Sequence, residues 1–364
     1  MYISDTISNL RVSAYKIPTD YPESDGTLEW DSTILVWVEI EALGTTGVGY
    51  TYAHQATAYY IEDKLKSLLI GQNPMEIPAM WQKMLNIVRN DGTAGISCAA
   101  ISAVDNALWD LKAKILNLPL ATLLGMVRPD MPLYGSGGFT SYPDRRLQEQ
   151  FTGWLDKGIK AMKMKIGREP DKDFARAQAA KAVMGGAELM IDANGAFTPR
   201  IAVATATKFA ELGVCYFEEP VSSDNLQGLH FIRQQAPAAM QIAAGEYGYS
   251  LWYFAEMLKQ QAVDILQADA TRCCGITGFL KVGYLCESHQ TLFSSHCAPS
   301  IHLHAAVALN SFYLAEYFHD HVRIENLLFD GVQQPINGVL KPDLTRPGIG
   351  IELKYADAES YKIL

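Results

Sequence analysis

Cysteine is scarce in this chain: there are six among 364 residues, and none forms a Cys-x-x-Cys spacing. That excludes the common zinc-ribbon and dithiol redox patterns. Cys273 and Cys274 are adjacent, and the others sit in apolar contexts such as Val214-Cys215-Tyr216. The expectation is a set of reduced, mostly buried thiols in a cytoplasmic protein. Long apolar runs are missing too. None approaches the ~18 residues of a membrane span, and Met1 to Asp20 holds no signal-peptide core. Positive charge is in deficit, with 30 Lys and Arg against 40 Asp and Glu, a net charge of −10. Nucleic acids and anionic membranes both need clustered Lys and Arg, so neither is expected as a partner. A small anionic substrate remains open, provided a metal or a few lysines concentrate positive charge locally.

The length exceeds one small core, since roughly 150 residues make a typical domain and an α/β barrel alone takes about 250. Ile7 to Ile17 alternates like a strand, Pro18 to Ser32 reads as a polar loop, and Thr33 to Ala42 is rich in β-formers. A glycine-rich turn is expected at Gly44 to Gly49. Helical spacing then covers Ala56 to Leu69, Ile77 to Val88 and Gly95 to Ile115. Strands followed by helices predict an α+β capping domain over residues 1–125. From Pro132 the pattern alternates short β-like runs with helical stretches. The runs are Leu133-Tyr134-Gly135, Ala161 to Ile166, Leu189 to Ala193, Cys215 to Phe217, Gln241 to Ala244, Ile265 to Gln267, Leu292-Phe293-Ser294 and Phe312 to Leu314. Eight strands at this pitch predict an α/β fold, a (β/α)7β-type TIM barrel over residues 126–323. Residues 324–364 are expected to return to the capping domain.

Polar residues at the ends of these strands carry the chemistry, because inward side chains there line a barrel's active site. Met162, Met164 and Ile166 share one face of the second strand, leaving Lys163 and Lys165 on the other. Such a pair is either a solvated edge or two amines meeting anions. The third strand turns Asp192 and Asn194 inward, the fourth ends with Glu218, and Ala244-Gly245-Glu246 follows the fifth. Carboxylates this close cannot all ionise without a cation, and hard oxygen ligands favour Mg²⁺ over zinc. The competing reading is three separate carboxylates at helix N-termini. Asp269 follows the sixth strand and His296 the seventh, placing a carboxylate beside an imidazole. His302 and His304 offer an alternative His-x-His metal set with His296, though they are expected to lie in the following helix. Glu316 belongs to the eighth strand.

This constellation resembles the mandelate racemase subgroup of the enolase superfamily over essentially the whole chain. Asp105-Asn106-Ala107-Leu108-Trp109-Asp110 and Leu123-Leu124-Gly125 look like the family's approach to its barrel, and Lys163-Met164-Lys165 matches its Lys-x-Lys motif. By that resemblance Asp192, Glu218 and Glu246 are metal ligands for one Mg²⁺, and Asn194 supports them. Asp269 and His296 form a dyad, and Glu316 binds the substrate carboxylate. Cys274-Gly275 stands where the family usually has Gly-Gly, and Ala268 stands where proline is common. The loop Pro18 to Ser32 has its own sequence.

The resemblance implies proton abstraction α to a carboxylate, with a Lys or His base and a magnesium-stabilised enediolate. Lys163 is then expected to contact the carboxylate and lower the pKa of Lys165, while a protonated Glu316 donates a hydrogen bond. Bases on two faces allow dehydration of a sugar acid, racemisation or epimerisation of a 2-hydroxy acid, or cycloisomerisation of a sugar lactone. Polar residues near the N-terminus (Tyr21, Glu23, Asp25, Thr51, Tyr52, His54) favour a polyhydroxylated acid and hence an acid-sugar dehydratase. A homo-oligomer, dimer or octamer, is implied by the resemblance alone. A metal-binding scaffold without turnover is the reading from another class, and it leaves two inward lysines unexplained.

Overall fold

The computed structural model describes residues 6–364; residues 1–5, where the stretch read for a signal peptide begins, lie outside it. An antiparallel sheet opens the chain, ordered β1 (Asn9–Ser24), β2 (Glu29–Ala42), β3 (Thr45–Tyr52). Two expectations are corrected here. The segment read as a polar loop is a long hairpin, with Pro18 paired to Ser32 and, past a register shift, Ser24 to Glu29. It shows no apolar face because most of its residues are exposed and the buried ones, Glu23, Ser24 and Asp25, are polar. The expected turn at Gly44 to Gly49 is mostly strand β3, and only Leu43 and Gly44 have positive φ. An added Cβ at Gly49 would overlap Ala103 O and Ala107 N of the helix Ile96–Ile115. Close backbone approach, not turning, explains that glycine.

Eight parallel strands follow: β4 (Met131–Gly137), β5 (Ala161–Lys165), β6 (Glu188–Asp192), β7 (Tyr216–Glu218), β8 (Gln241–Ala244), β9 (Ile265–Ala268), β10 (Leu292–Ser295) and β11 (Phe312–Phe318). Pairing of β11 with β4 closes the barrel. Outward Met162, Leu189, Ile191, Phe217 and Ile242 pack on the surrounding helices in one continuous core. Tyr134, Met190, Tyr216, Ala243 and Ile265 fill the interior as a separate cluster. The tail runs back across the molecule. Phe329–Asp330 pairs with Glu352–Leu353, and Ile363 N donates to Ala14 O of β1 at 2.8 Å. Among the described residues no helix is long and apolar enough to cross a membrane.

The sheet and barrel are joined by polar side chains of Ile96–Ile115 that cap the helix Gly275–Ser288. A helix start leaves N–H groups without partners. Here Ser102 Oγ accepts from Gly275 N, Asn106 Oδ1 from Ile276 N, and Asp105 Oδ2 from Thr277 N, at 2.8–3.0 Å. Asp105 also accepts from Thr277 Oγ1 at 2.7 Å, and burial pushes its carboxyl up to about 7. Replacing Asp105 with alanine strands two buried donors, so a cost of about 2–4 kcal/mol is expected. Urea unfolding checks this, and a change below about 0.5 kcal/mol would contradict it.

Candidate active site

Each side chain that reaches the barrel mouth does so because its neighbours on the strand face the helices. With Met162 and Met164 outward, Lys163 and Lys165 point in and are buried. The same alternation turns Asp192 and Glu218 inward. After β8, Gly245 adopts φ 134°, where an added Cβ would meet Gln267 O of β9. Only glycine fits that turn, which brings Glu246 to the same opening.

One oxygen from each of Asp192, Glu218 and Glu246 lies within 4.8 Å of the others. Lys163 Nζ contacts Glu218, sits 2.8 Å from Glu316 and 3.1 Å from Asp192. Lys165 Nζ lies 2.5 Å from Asp192. Burial pushes Glu218 up; Lys163 opposes this, but the charges of Asp192, Glu316 and Glu246 reinforce it, so its carboxyl lies well above the usual range. Oε2 of Glu246 and Oδ1 of Asn194 are buried without hydrogen-bond partners. Converging, mutually repelling hard oxygens with unused lone pairs fit a divalent cation of the Mg²⁺ class.

Lys163 acts to lower the Lys165 pKa as expected, but the net charge balance at Lys165 and at Glu316 differs from expectation. Burial works to lower the Lys165 pKa, yet Asp192 outweighs it and Lys165 is held up. The sequence shows the neighbouring lysine but not how close the carboxylate comes. Burial likewise would raise Glu316, but Lys163 and then His296 outweigh it, and the carboxyl lies well below its usual range. Glu316 is therefore an acceptor, taking hydrogen bonds from Ser136 Oγ at 2.6 Å and Cys297 N at 2.8 Å.

Asp269 and His296 meet as expected from adjacent strand ends. The Asp269 carboxyl is held down despite burial, chiefly by its hydrogen bond with His296. His296 Nδ1–H therefore donates to Asp269 Oδ2 at 2.7 Å, and Thr271 N donates to Oδ1 at 2.7 Å. His296 Nε2 is left 3.5 Å from Glu246 and 3.8 Å from Glu316. Replacing Asp269 with asparagine removes the charge that fixes this tautomer. A fall in kcat of roughly 10²–10⁴ with KM nearly unchanged is expected. Steady-state kinetics checks it, and full activity would release Asp269 from the dyad.

His302 and His304 lie in the helix Pro299–Ala306 and are not ligands. His302 Nε2 accepts from Ala270 N at 2.8 Å, and its Nδ1 faces the carbonyls of Cys297 and Ala298. His304 accepts from Ala121 N, and burial pushes it down to about 4. Both pin backbone, so the His-x-His alternative falls.

Three contributors escaped the sequence reading. Gln267, two residues before Asp269 on the same strand face, donates to Glu218 Oε2 at 2.8 Å. Alternation alone could have found it. Arg272 lies 3.8 Å from Glu246 and 3.9 Å from Asp269, and rests on the Tyr247 ring. Glu219 is buried with a left-handed φ of 37° and an unpartnered Oε1; nothing local in the sequence marks it.

Lys165, Glu246, Arg272 and His296 open onto one cavity of about 390 Å³, walled on its other side by Asp25 and Trp30 of the hairpin. The hairpin is fixed there by Thr140 N donating to Ser24 O at 2.8 Å, and by Trp30 edge-on to Phe139.

Residues 146–358 match the model of the enolase C-terminal domain-like family. Residues 17–125 match the mandelate racemase/muconate lactonizing enzyme N-terminal domain. The chain belongs to the mandelate racemase/muconate lactonizing enzyme family. Within this family it is 30% identical to an arabinonate dehydratase of Saccharolobus solfataricus, over 90% of each chain. It is similar to the crystal structure of a mandelate racemase/muconate lactonizing enzyme-like protein from Rubrobacter xylanophilus. The TM-score is 0.96 at 50% identity, covering 98% of this chain and 99% of that one. An L-talarate dehydratase from Polaromonas sp. JS666, complexed with Mg and L-glucarate, superposes with TM-score 0.89 at 29% identity, covering 99% and 98%. The mandelate racemase/muconate lactonizing enzyme domains thus span both the hairpin that walls the cavity and the strands that furnish its charges.

Proposed function

We propose that this protein is a magnesium-dependent acid-sugar dehydratase, converting an aldonate or aldarate to a 2-keto-3-deoxy acid. The observation that carries the reading is one cavity onto which a lysine amine and a carboxylate-paired imidazole both open, beside three converging carboxylates. Asp192, Glu218 and Glu246 would hold the ion, with Asn194 in support. When bound, Mg²⁺ supplies Lewis-acid charge stabilisation to a substrate carboxylate, the role that makes an α-proton removable near neutral pH. With an ion held there, Asp192 would hold the Lys165 proton less tightly.

The remaining work belongs to the protein. Lys163 supplies a fixed ammonium for the substrate carboxylate, and Glu316 holds Lys163 and the Cys297 backbone in place. Lys165 Nζ and His296 Nε2 exchange protons with the substrate, one taking the α-proton and the other protonating the departing β-hydroxyl. The hairpin keeps bulk water from the enediolate. Dehydration is favoured over racemisation by a polar cavity wall (Asp25, Ser32, Thr33, His54) suited to hydroxyl groups. The relatives named dehydratases, one of them complexed with Mg and L-glucarate, lend further support.

Product analysis tests this. With Mg²⁺ and a panel of stereochemically defined aldonates and aldarates, at least one acid is expected to give a 2-keto-3-deoxy product. Formation of only an epimer or a rearranged lactone would contradict dehydration and leave α-proton chemistry in place.

A further inference from the structure

Two cysteines 176 positions apart meet where the capping domain grips the barrel. Cys98 lies in the first turn of the helix Ile96–Ile115, and Cys274 immediately precedes the helix Gly275–Ser288. Their Sγ atoms are 3.0 Å apart, and both turn toward Tyr249 O, at 3.3 and 3.7 Å. Cys274 occupies a left-handed conformation (φ 65°), where any residue with a β-carbon is strained and glycine is not. A cysteine is thus held at a position whose backbone favours glycine, with its sulfur against another sulfur. The adjacent Cys273 borders the same cavity, its Sγ 3.9 Å from Gly275 O.

Both cysteines are buried, and both border a cavity of about 340 Å³ walled by Trp81, Tyr249 and Trp252. Trp252 is 81% exposed, so this cavity reaches the molecular surface. It is separate from the cavity that holds Lys165 and His296.

We propose that Cys98 and Cys274 are an oxidative modification site, closing to a reversible disulfide that latches the capping domain to the barrel. A disulfide needs sulfurs about 2.0 Å apart, so the thiols must approach by roughly 1 Å. The oxidant is a peroxide entering the open cavity. One thiol sulfur takes an oxygen as the O–O bond breaks, giving a sulfenic acid and releasing water, or an alcohol from an organic peroxide. The second sulfur attacks the sulfenic sulfur, its proton leaves with the hydroxyl as water, and the S–S bond forms. Two electrons pass from the thiols to the peroxide. The bond lands on the joint where Ser102, Asp105 and Asn106 already cap the helix, five residues after Asp269. It therefore stiffens the support of the dyad.

The experiment uses the intact protein treated with hydrogen peroxide, then alkylated and mapped by mass spectrometry without reduction. The expected result is a Cys98–Cys274 linked peptide, about 2 Da below the sum of its two reduced peptides, that disappears on treatment with a thiol reductant. Its Tm is expected to rise by roughly 5 °C or more, reversibly, while Cys98→Ser and Cys274→Gly show no such rise. The wild-type peptide map decides the matter even if a variant folds poorly. Full alkylation of both cysteines after peroxide, oxidation to sulfinic acid without a link, or pairing through Cys273 would each overturn the proposal.

Discussion

Replacing His296 with asparagine is expected to lower kcat by roughly 10³–10⁴ while folding and Mg²⁺ affinity stay near the wild-type values. The His296 Nδ1 is committed to Asp269 at 2.7 Å, and the asparagine amide can keep a hydrogen bond there. What asparagine cannot do is carry a proton at the Nε2 position, which lies 3.2 Å from Cys297 Sγ, 3.5 Å from Glu246 and 3.8 Å from Glu316. The substitution removes a proton-transfer group and little packing, since the ring lies at a cavity wall and not in a close-packed core. Thermal unfolding and titration calorimetry with Mg²⁺ separate the two effects. A variant with full turnover would remove His296 from proton transfer.

The second large effect is expected at Glu218. Substituting glutamine should weaken Mg²⁺ binding by about 100-fold or more, close to 2.7 kcal/mol. Glu218 is held by three donors. It contacts Lys163 and accepts from Gln267 at 2.8 Å and from the Tyr216 hydroxyl at 2.9 Å. Glutamine keeps the volume but removes the charge, and its amide presents a donor to groups that already donate. The loss therefore combines a weaker ligand with a conflict against Lys163. Unchanged binding isotherms would take Glu218 out of the ligand set. A parallel loss of fold would be visible by circular dichroism and would mark the network as structural.

Much of this site was legible in the sequence because alternation on a short parallel strand is a strong constraint. The Met-Lys-Met-Lys run on β5 assigns its faces with no further information, as do Ile191 against Asp192 and Phe217 against Glu218. Eight such strands were separable for the same reason, although β11 runs to Phe318, well past the Leu314 expected. What stayed hidden depends on contacts distant in sequence. The hairpin Pro18 to Ser32 carries no apolar stripe, since its buried residues Glu23, Ser24 and Asp25 are polar, so local patterning read it as a loop. Gly47 and Gly49 look like turn residues until a helix is found lying on them. The net hold on the protons of Lys165 and Glu316 follows from spacings of 2.5–2.8 Å between residues on different strands, which local patterning does not show. The Cys98–Cys274 contact joins two elements that no periodicity connects.

α-Proton exchange is the step on which the proposed function rests, whichever product is finally released. The most direct measurement is incubation of the protein with Mg²⁺ and sugar acids in D₂O, followed by NMR of the α-carbon. Deuterium is predicted to enter that position in at least one acid, at a rate that collapses when chelator is added or Lys165 is replaced by methionine. Retention of the α-proton across the whole panel, with Mg²⁺ bound and the protein folded, would contradict the account.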